Sequence, residues 1–232
     1  MSESSYHGTG KGIKVAVIDD GIFPEHPYIS NIAGGVGIDF DEQGNIVYDN
    51  DDYFHEIPWS HGTVCAALIH HRVPDAEIYS VKVLNENGTG HPATLVAAIG
   101  WCIDNNIKVV NISLGTTGEN FATKLQAECA RAAKHGIILV AATHIGGLIS
   151  YPSVFPETIG VGKDNRYKGY EYGYYPTRIA EFVAAGQDEL SLNIMNALVK
   201  PCTRIKSHGT SSAAPRISAN VAALLEQMPR LD

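Results

Sequence analysis

The sequence predicts an α/β fold in three layers, with a mainly parallel central sheet and helices on both of its faces. Short apolar runs that suit buried strands alternate along the chain with segments of helical periodicity. That alternation is typical of parallel sheets built from strand, helix and strand. The chain has 232 residues, 44% of them hydrophobic, which is enough for one domain with a sizeable core. We therefore expect a single domain over residues 1–232.

The individual elements follow from the same pattern. The first buried strand is predicted at 13–18 and runs into the turn signal Asp19-Asp20-Gly21. Prolines and glycines interrupt residues 22–60, which are predicted to be mostly loop. Further strands are predicted at 76–84, 107–114, 137–142, 158–162 and 179–184, and helices from His61, over 93–104, over 121–135 and after Ser211. Residues 163–178 hold five tyrosines without a clean period and are predicted to form a surface loop or ribbon.

Charge and hydropathy exclude several classes of partner. A net charge of −8 argues against binding to nucleic acid or to anionic membranes. No run approaches the roughly 18 apolar residues that a membrane helix needs, and residues 1–7 lack the basic start and apolar core of a signal peptide. We therefore expect a cytoplasmic protein without a signal peptide or prodomain. The oligomeric state cannot be predicted from the sequence.

The four cysteines show no metal or disulfide pattern. Cys65, Cys102, Cys129 and Cys202 lack C-x-x-C spacing and lie in apolar or helical surroundings. Reduced, buried thiols are the expectation, and no cofactor is predicted.

Chemically useful side chains are expected to gather at one edge of the sheet. Functional groups of parallel α/β sheets collect at the carboxyl ends of strands, where Asp19, residues 111–115, His144 and the turn at Ser211 would lie. His61, at a predicted helix start, can face the same crevice. A carboxylate, an imidazole and a hydroxyl are the set that acyl transfer requires. These residue types occur in most chains, however, and the Ser211 stretch taken alone is more typical of a helix cap than of a nucleophile.

Three motifs make the interpretation specific, because together they resemble the subtilisin-like serine proteases. The motifs are Val15-Ala16-Val17-Ile18-Asp19-Asp20-Gly21, His61-Gly62-Thr63 and Gly209-Thr210-Ser211-Ser212-Ala213-Ala214-Pro215, with matching strands at 79–84 and 111–115. The order Asp, His, Ser also matches. The resemblance implies a subtilisin-like fold and peptide-bond cleavage through an acyl-enzyme. It implies Asp19 as the orienting acid, His61 as the general base and acid, and Ser211 as the nucleophile.

The resemblance also implies a site for a peptide or protein substrate in extended conformation. The substrate would pair as an added strand with two segments, Gly88-Thr89-Gly90 and Ser113-Leu114-Gly115. The primary specificity pocket would be lined by small residues, namely Ala141, Ala142, Thr143 and Ser150. The Ser211 backbone N–H and the His144 side chain would bind the oxyanion. His144 stands where the family normally has Asn, and a histidine N–H can donate the same bond.

Other departures from the family pattern bear on metal binding and on His61. Residues 70–75 form too short a connection for the family's calcium loop, so no metal is expected. Asp20 replaces a usual Ser or Thr and adds a negative charge that could raise the basicity of His61, unless exposure to solvent cancels its effect. Cys65 lies four residues after His61 on the same helical face, as in the thiol-containing branch of the family.

The sequence leaves three functions open. The leading hypothesis is an intracellular serine endopeptidase, with the processing of a specific peptide precursor as its expected role. The second is a peptide-binding or regulatory subunit on a protease fold, with catalysis impaired at His144. The third is a peptide ligase or acyl transferase that uses the same acyl-enzyme with an amine acceptor.

Overall fold

The computed structural model describes residues 7–30, 32–176, 179–198 and 209–228. Within these ranges, nine strands form one sheet. They are Lys14–Asp19 (β1), Gly34–Phe40 (β2), Ile46–Asp49 (β3), Glu77–Lys82 (β4), Val109–Ile112 (β5), Ile138–Ala142 (β6), Thr158–Lys163 (β7), Tyr172–Tyr174 (β8) and Phe182–Ala184 (β9). Their spatial order is β3-β2-β4-β1-β5-β6-β7-β9-β8. The two edge strands pair antiparallel with their neighbours and every other pairing is parallel.

Helices cover both faces of this sheet, which confirms the predicted three-layer α/β architecture. The helices are His61–Arg72 (α1), Pro92–Asp104 (α2), Ala122–Lys134 (α3), Glu189–Met195 (α4) and Ala214–Gln227 (α5). Short 3-10 turns lie at Glu119–Phe121 and Thr210–Ser212. On one face α1 packs against α4 and α5, and on the other α2 packs against α3.

The core is divided by the sheet, and β1 shows how. Its side chains alternate between the two faces, as the period of two in a strand requires. Val15 and Val17 contribute to the core beneath α1 and α5, whereas Ala16 and Ile18 contribute to the core beneath α2 and α3. All four are at most 1% exposed. Asp19 ends this central strand between β4 and β5.

Some elements differ from the prediction. Residues 22–60, predicted to be mostly loop, contain β2 and β3. The glycines of β2 weaken the local strand signal, but they are needed for packing, since a Cβ at Gly35 would lie 2.3 Å from the Ser80 carbonyl oxygen. The strand predicted at 179–184 is shorter, Phe182–Ala184, and pairs with β8. Helix α4 was not predicted, although Asp188 and Ser191 form a capping box at its start.

Cys65, Cys102 and Cys129 are buried free thiols, as expected. Cys202, and with it Ser207 and His208 of the segment before the Ser211 turn, lies outside the described residues. Of the helices within the described ranges, none has the length and apolar character needed to cross a membrane.

Candidate active site

Asp19 and His61 meet at the carboxyl end of β1. Asp19 is 1% exposed, and His61 is the first residue of α1. The Nδ1 atom of His61 lies 2.9 Å from Oδ1 and 2.8 Å from Oδ2 of Asp19. Because a carboxylate only accepts, the ring hydrogen belongs on Nδ1 and Nε2 faces away from Asp19. The two residues, 42 positions apart, are joined because a strand end meets a helix start.

The electrostatics of this pair favour a protonated imidazole. The pKa of His61 is raised from its ordinary value of 6.5 to about 9. The negative charge of Asp19 is the largest cause, and its hydrogen bond and the charge of Asp20 act in the same direction, while burial opposes them. His61 therefore acts as a stronger base than an isolated histidine.

Ser211 lies in the 3-10 turn Thr210–Ser212, and α5 begins after it at Ala214, where a helix was predicted. The turn is held from below by Ser113, whose hydroxyl donates to the Ser211 carbonyl oxygen at 3.0 Å. The Cys65 thiol contacts both groups, at 3.4 Å from Ser113 Oγ and 3.7 Å from the Ser211 oxygen. Ser113 thus supports the turn with its side chain, a role that the sequence did not indicate.

The support of Ser211 continues into the core. Asn111 Nδ2 donates to Ser113 Oγ at 2.9 Å, and Ser218 Oγ donates to Asn111 Oδ1 at 3.0 Å. All three residues are at most 8% exposed. This chain of bonds links β5 to α5, and buried polar groups with satisfied partners hold one conformation firmly.

His61 and Ser211 lie on neighbouring elements, α1 and the 3-10 turn before α5. Among the described residues, no hydrogen bond joins the imidazole to the Ser211 hydroxyl. The hydroxyl lies beside Gly209, where an added Cβ would be 3.1 Å from Ser211 Oγ. The structure therefore joins Asp19 to His61 but shows no hydrogen bond between His61 and the Ser211 hydroxyl among the described residues. Catalytic hydrogen bonds are often long or poorly aligned before substrate binds, so the lack of this bond does not exclude a role for Ser211.

His144 lies in an exposed loop after β6, next to the Ser211 turn. Thr210 Oγ1 donates to the Thr143 carbonyl oxygen at 2.5 Å, which ties the two segments together. The Nδ1 atom of His144 accepts from the Gly146 N–H at 3.0 Å. In a neutral ring the hydrogen then sits on Nε2, so Nε2 is the atom that can donate.

The two predicted substrate segments both contribute to the lining of a cavity of about 330 Å³. Gly88, Thr89 and Gly90 of the first segment and Leu114 and Gly115 of the second line it, whereas Ser113 does not. Apolar side chains form much of the remaining wall, namely Val83, Leu84, Pro92 and Leu95.

The residues predicted for the specificity pocket lie apart from this cavity. Gly115 adjoins Ser150, since a Cβ at Gly115 would lie 2.5 Å from Ser150 Oγ. Ala141 and Ala142 are buried on the two core faces of β6. Thr143 follows them, half-buried and bonded to the Val161 carbonyl oxygen.

Asp19, His61 and Cys65 are the one set of three potential metal-binding side chains that converges among the described residues, with their donor atoms within 4.8 Å of one another. Asp19 already bonds the imidazole, and burial raises the pKa of the Cys65 thiol well above its usual range. Because both Asp19 oxygens already lie within hydrogen-bond distance of His61 Nδ1, we interpret the set as a hydrogen-bonded group.

Comparison with known proteins identifies the family. The family model described as Subtilase family, peptidase S8, matches residues 10–232. The chain belongs to the subtilase family. This subtilase is 31% identical to Subtilisin E of Bacillus subtilis (strain 168), over 95% of the chain and 57% of that protein. It is 30% identical to a subtilisin of Bacillus pumilus, over 95% of the chain and 79% of that protein. The chain thus spans 57% of the length of several curated relatives that it matches.

Solved structures show the same fold. A cold-adapted subtilisin-like serine proteinase matches this subtilase with a TM-score of 0.68 and 19% identity, covering 95% of the chain and 78% of its own. A lanthipeptide protease matches with a TM-score of 0.63 and 24% identity, and the match covers 94% of this chain and 74% of the protease chain. The predicted subtilisin-like architecture is confirmed.

Proposed function

We propose that this subtilase is a serine endopeptidase that cleaves peptide bonds with Asp19, His61 and Ser211. The observation that carries the proposal is the pair of short contacts between His61 Nδ1 and the buried Asp19 carboxylate. They fix the tautomer that leaves Nε2 free to accept a proton. The Ser211 turn, held by Ser113, supplies a hydroxyl on an element that neighbours α1.

The reaction then follows from these positions. Ser211 Oγ rotates from its place beside Gly209 toward His61, whose Nε2 accepts the hydroxyl proton as oxygen attacks the peptide carbonyl carbon. Asp19 stabilises the imidazolium that forms. His61 returns the proton to the leaving amine, which departs and leaves an ester on Ser211. A water molecule, deprotonated by His61, then hydrolyses the ester and restores the hydroxyl.

The developing oxyanion is bound by the Ser211 backbone N–H and by Nε2–H of His144. The bond between Gly146 N–H and His144 Nδ1 supports this role, because it leaves the hydrogen on Nε2. One such donor contributes roughly 10²–10³ in kcat. Replacing His144 with Ala should therefore reduce kcat by about that factor, and replacing it with Asn should preserve most of the rate.

The substrate lies in extended form between the two segments that flank the cavity. The Gly88 and Thr89 N–H groups already donate to Asn85, so the substrate strand would pair with the remaining backbone groups of the two segments. A cavity of about 330 Å³ with Leu84, Leu95 and Leu114 in its wall suits an apolar side chain of that substrate. We propose a specific peptide precursor as the natural substrate, and the structural neighbour named as a lanthipeptide protease is one protein of this fold whose name includes a class of peptide.

A second candidate is a peptide-binding subunit in which catalysis is impaired. It is favoured by the absence of a hydrogen bond between His61 and Ser211 among the described residues, and by the exposed position of His144. An acyl transferase or ligase would use the same residues and differ only in having an amine as the acceptor.

A fluorophosphonate probe separates these functions. We expect labelling of the wild-type protein at Ser211, loss of labelling in Ser211→Ala, and retention in the matched variant Ser212→Ala. Failure to label the wild type together with labelling of His144→Asn would favour the binding subunit and overturn the peptidase. Product analysis with an added amine peptide then distinguishes hydrolysis from transfer.

A further inference from the structure

The carboxylate of Asp20 is bound at the N-terminal end of α1. Oδ1 accepts from the Gly62 N–H at 2.7 Å, and Oδ2 accepts from the His61 N–H at 3.1 Å. The first four N–H groups of a helix have no acceptor within the helix. Asp20 satisfies two of them from 41 and 42 positions away, while the Ser60 hydroxyl accepts from Thr63. The backbone of His61 is therefore anchored to the end of β1 independently of its side chain.

The fit around this carboxylate is tight. A Cβ added at Gly62 would lie 2.9 Å from Asp20 Oδ1 and 3.0 Å from Asp19 Cβ. The Asp20 carboxylate thus occupies the space that a side chain at residue 62 would need. Asp20 is only half-buried by area, but its two bonds hold it against the helix rather than in solvent.

The charged and titratable groups around His61 are Asp19, Asp20, Cys65 and, near Asp20, His55. The pKa of Asp20 is raised, first by burial and then by the charge of Asp19, while the Gly62 N–H, His61 and His55 oppose the rise. Burial keeps the Cys65 thiol neutral by raising its pKa. The imidazole therefore faces two carboxylates and one uncharged thiol.

We propose that Asp20 is a positioning residue for His61, which fixes the first turn of α1 and adds a second negative charge that favours the protonated imidazole. The inference rests on the proposed role of His61 as the general base. The same charge stabilises the imidazolium that forms during attack by Ser211. Together with Asp19, whose charge is the largest cause of the raised pKa of His61, it favours protonation of the base near neutral pH, so that activity develops at alkaline pH.

The direct test is the titration of His61 by NMR in the Ser211→Ala protein, with and without Asp20→Asn. The amide oxygen can still accept one N–H bond, so the variant removes the charge and keeps the shape. Loss of a negative neighbour destabilises the imidazolium, and we expect the pKa of His61 to fall by about half a unit to one unit. The matched control is Asp51→Asn, which removes one charge from an exposed position in the loop before α1. It should move the pKa by less than about 0.2 units.

Kinetics provide the second readout. In the enzyme with Ser211 intact, Asp20→Asn should shift the acid limb of kcat/KM to lower pH by the same amount and lower kcat on the plateau. If the variant folds poorly, Asp20→Ser keeps an acceptor for one N–H without the charge. An unchanged His61 titration in a folded variant would reduce Asp20 to a helix cap and overturn the proposal. The titration does not require an active enzyme. An inactive wild-type protein would therefore overturn the proposed peptidase function but leave the positioning role of Asp20 to be decided by the titration.

Discussion

At the scale of single residues, Cys65 connects the two halves of the candidate site. Its thiol contacts Ser113 Oγ and the Ser211 carbonyl oxygen, and its sulfur lies within 4.8 Å of donor atoms of Asp19 and His61. The position beneath His61 that the family resemblance implies for a thiol is therefore occupied by Cys65. A bulky group on this sulfur has no free space, because the residue is 1% exposed.

We predict that a mercurial modifying Cys65 inactivates the enzyme by displacing His61. A Cys65→Ser variant keeps a small hydrogen-bond donor in this position. It should retain activity and become resistant to inactivation by the mercurial. Cys102 and Cys129, which are buried elsewhere, provide the control, since replacing either with Ala should leave sensitivity unchanged. The measurement is residual peptidase activity against the mercury bound at each cysteine. Full activity with Cys65 shown by mass spectrometry to be modified would contradict the prediction.

The raised pKa of His61 predicts a pH-dependent contribution to stability. A folded-state pKa near 9, against 6.5 in the unfolded chain, means that the folded protein binds this proton more tightly. The contribution is fully present below 6.5 and is lost as pH rises through about 9. The test compares the Ser211→Ala protein with the double variant Ser211→Ala/His61→Gln. We expect the protein that keeps His61 to have the higher free energy of unfolding, and the difference to be larger at about pH 6 than at about pH 10. Urea unfolding at the two pH values measures it, and an equal difference at both would show that the pair does not stabilise the fold.

At the scale of elements, the junction between β1 and α1 determines where His61 lies. The chain leaves β1 through Gly21 at a φ of 98°, and α1 packs its first turn directly against that turn. Gly62 makes the approach possible, because a Cβ there would lie 2.4 Å from the Gly21 carbonyl oxygen. Backbone contact this close tolerates no side chain.

We therefore predict that Gly62→Ala costs about 1–3 kcal/mol of stability and most of the activity, since α1 must move away from Asp19 and Asp20. Gly100→Ala in α2 is the matched control. Its Cβ would meet only the far ends of two long side chains, Glu128 at 3.0 Å and Arg131 at 3.2 Å, and Ala is more favourable than Gly in a helix interior by about 1 kcal/mol. Thermal denaturation and peptide hydrolysis measure both variants. Equal activity of Gly62→Ala and wild type would show that the junction has room to adjust.

At the scale of the whole molecule, a buried ion pair connects α5 to the irregular region around α4. Arg216 is fully buried, and its Nη2 lies 2.7 Å from Asp188 Oδ1. Its Nη1 donates to the Gly169 carbonyl oxygen, and the guanidinium lies 5.8 Å from the Tyr170 ring centre. Although burial opposes it, the Ser191 N–H and Arg216 hold the pKa of Asp188 below its usual value. The segment before α4 is thus held against the helix that follows Ser211.

Removing one partner of a buried pair leaves an uncompensated charge. We predict that Arg216→Ala lowers the free energy of unfolding by about 3–5 kcal/mol. The control is Arg131→Ala. The Arg131 side chain is 44% exposed in its ion pair with Glu128, so this substitution should lower the free energy of unfolding by less than about 1 kcal/mol. Denaturant unfolding compares the two. Similar losses for both would mean that burial adds nothing to the Arg216 pair.

Much of this architecture was predictable because the burial of a strand or helix requires a recognisable pattern of apolar residues within that segment. The apolar runs at β1, β4, β5 and β6 and the helical patterns at α1, α2, α3 and α5 each lie within one segment, and they were placed to within a few residues. The prediction failed for β2, β3 and α4. The glycines of β2 suit a neighbouring backbone rather than a local preference, and α4 is short, with its core contacts supplied by α1.

For the candidate site, the sequence by itself determined which side chains stand at a strand end, at a helix start and in the turn before α5, and the family to which they point. Only the tertiary structure decided how they meet. It joined Asp20 to the first N–H groups of α1, placed Ser113 and Cys65 under Ser211, and left the His61 imidazole without a bond to the Ser211 hydroxyl. The reason is physical: periodicity records which face of a segment is buried, whereas bonds between residues 41 to 146 positions apart depend on how whole elements pack together.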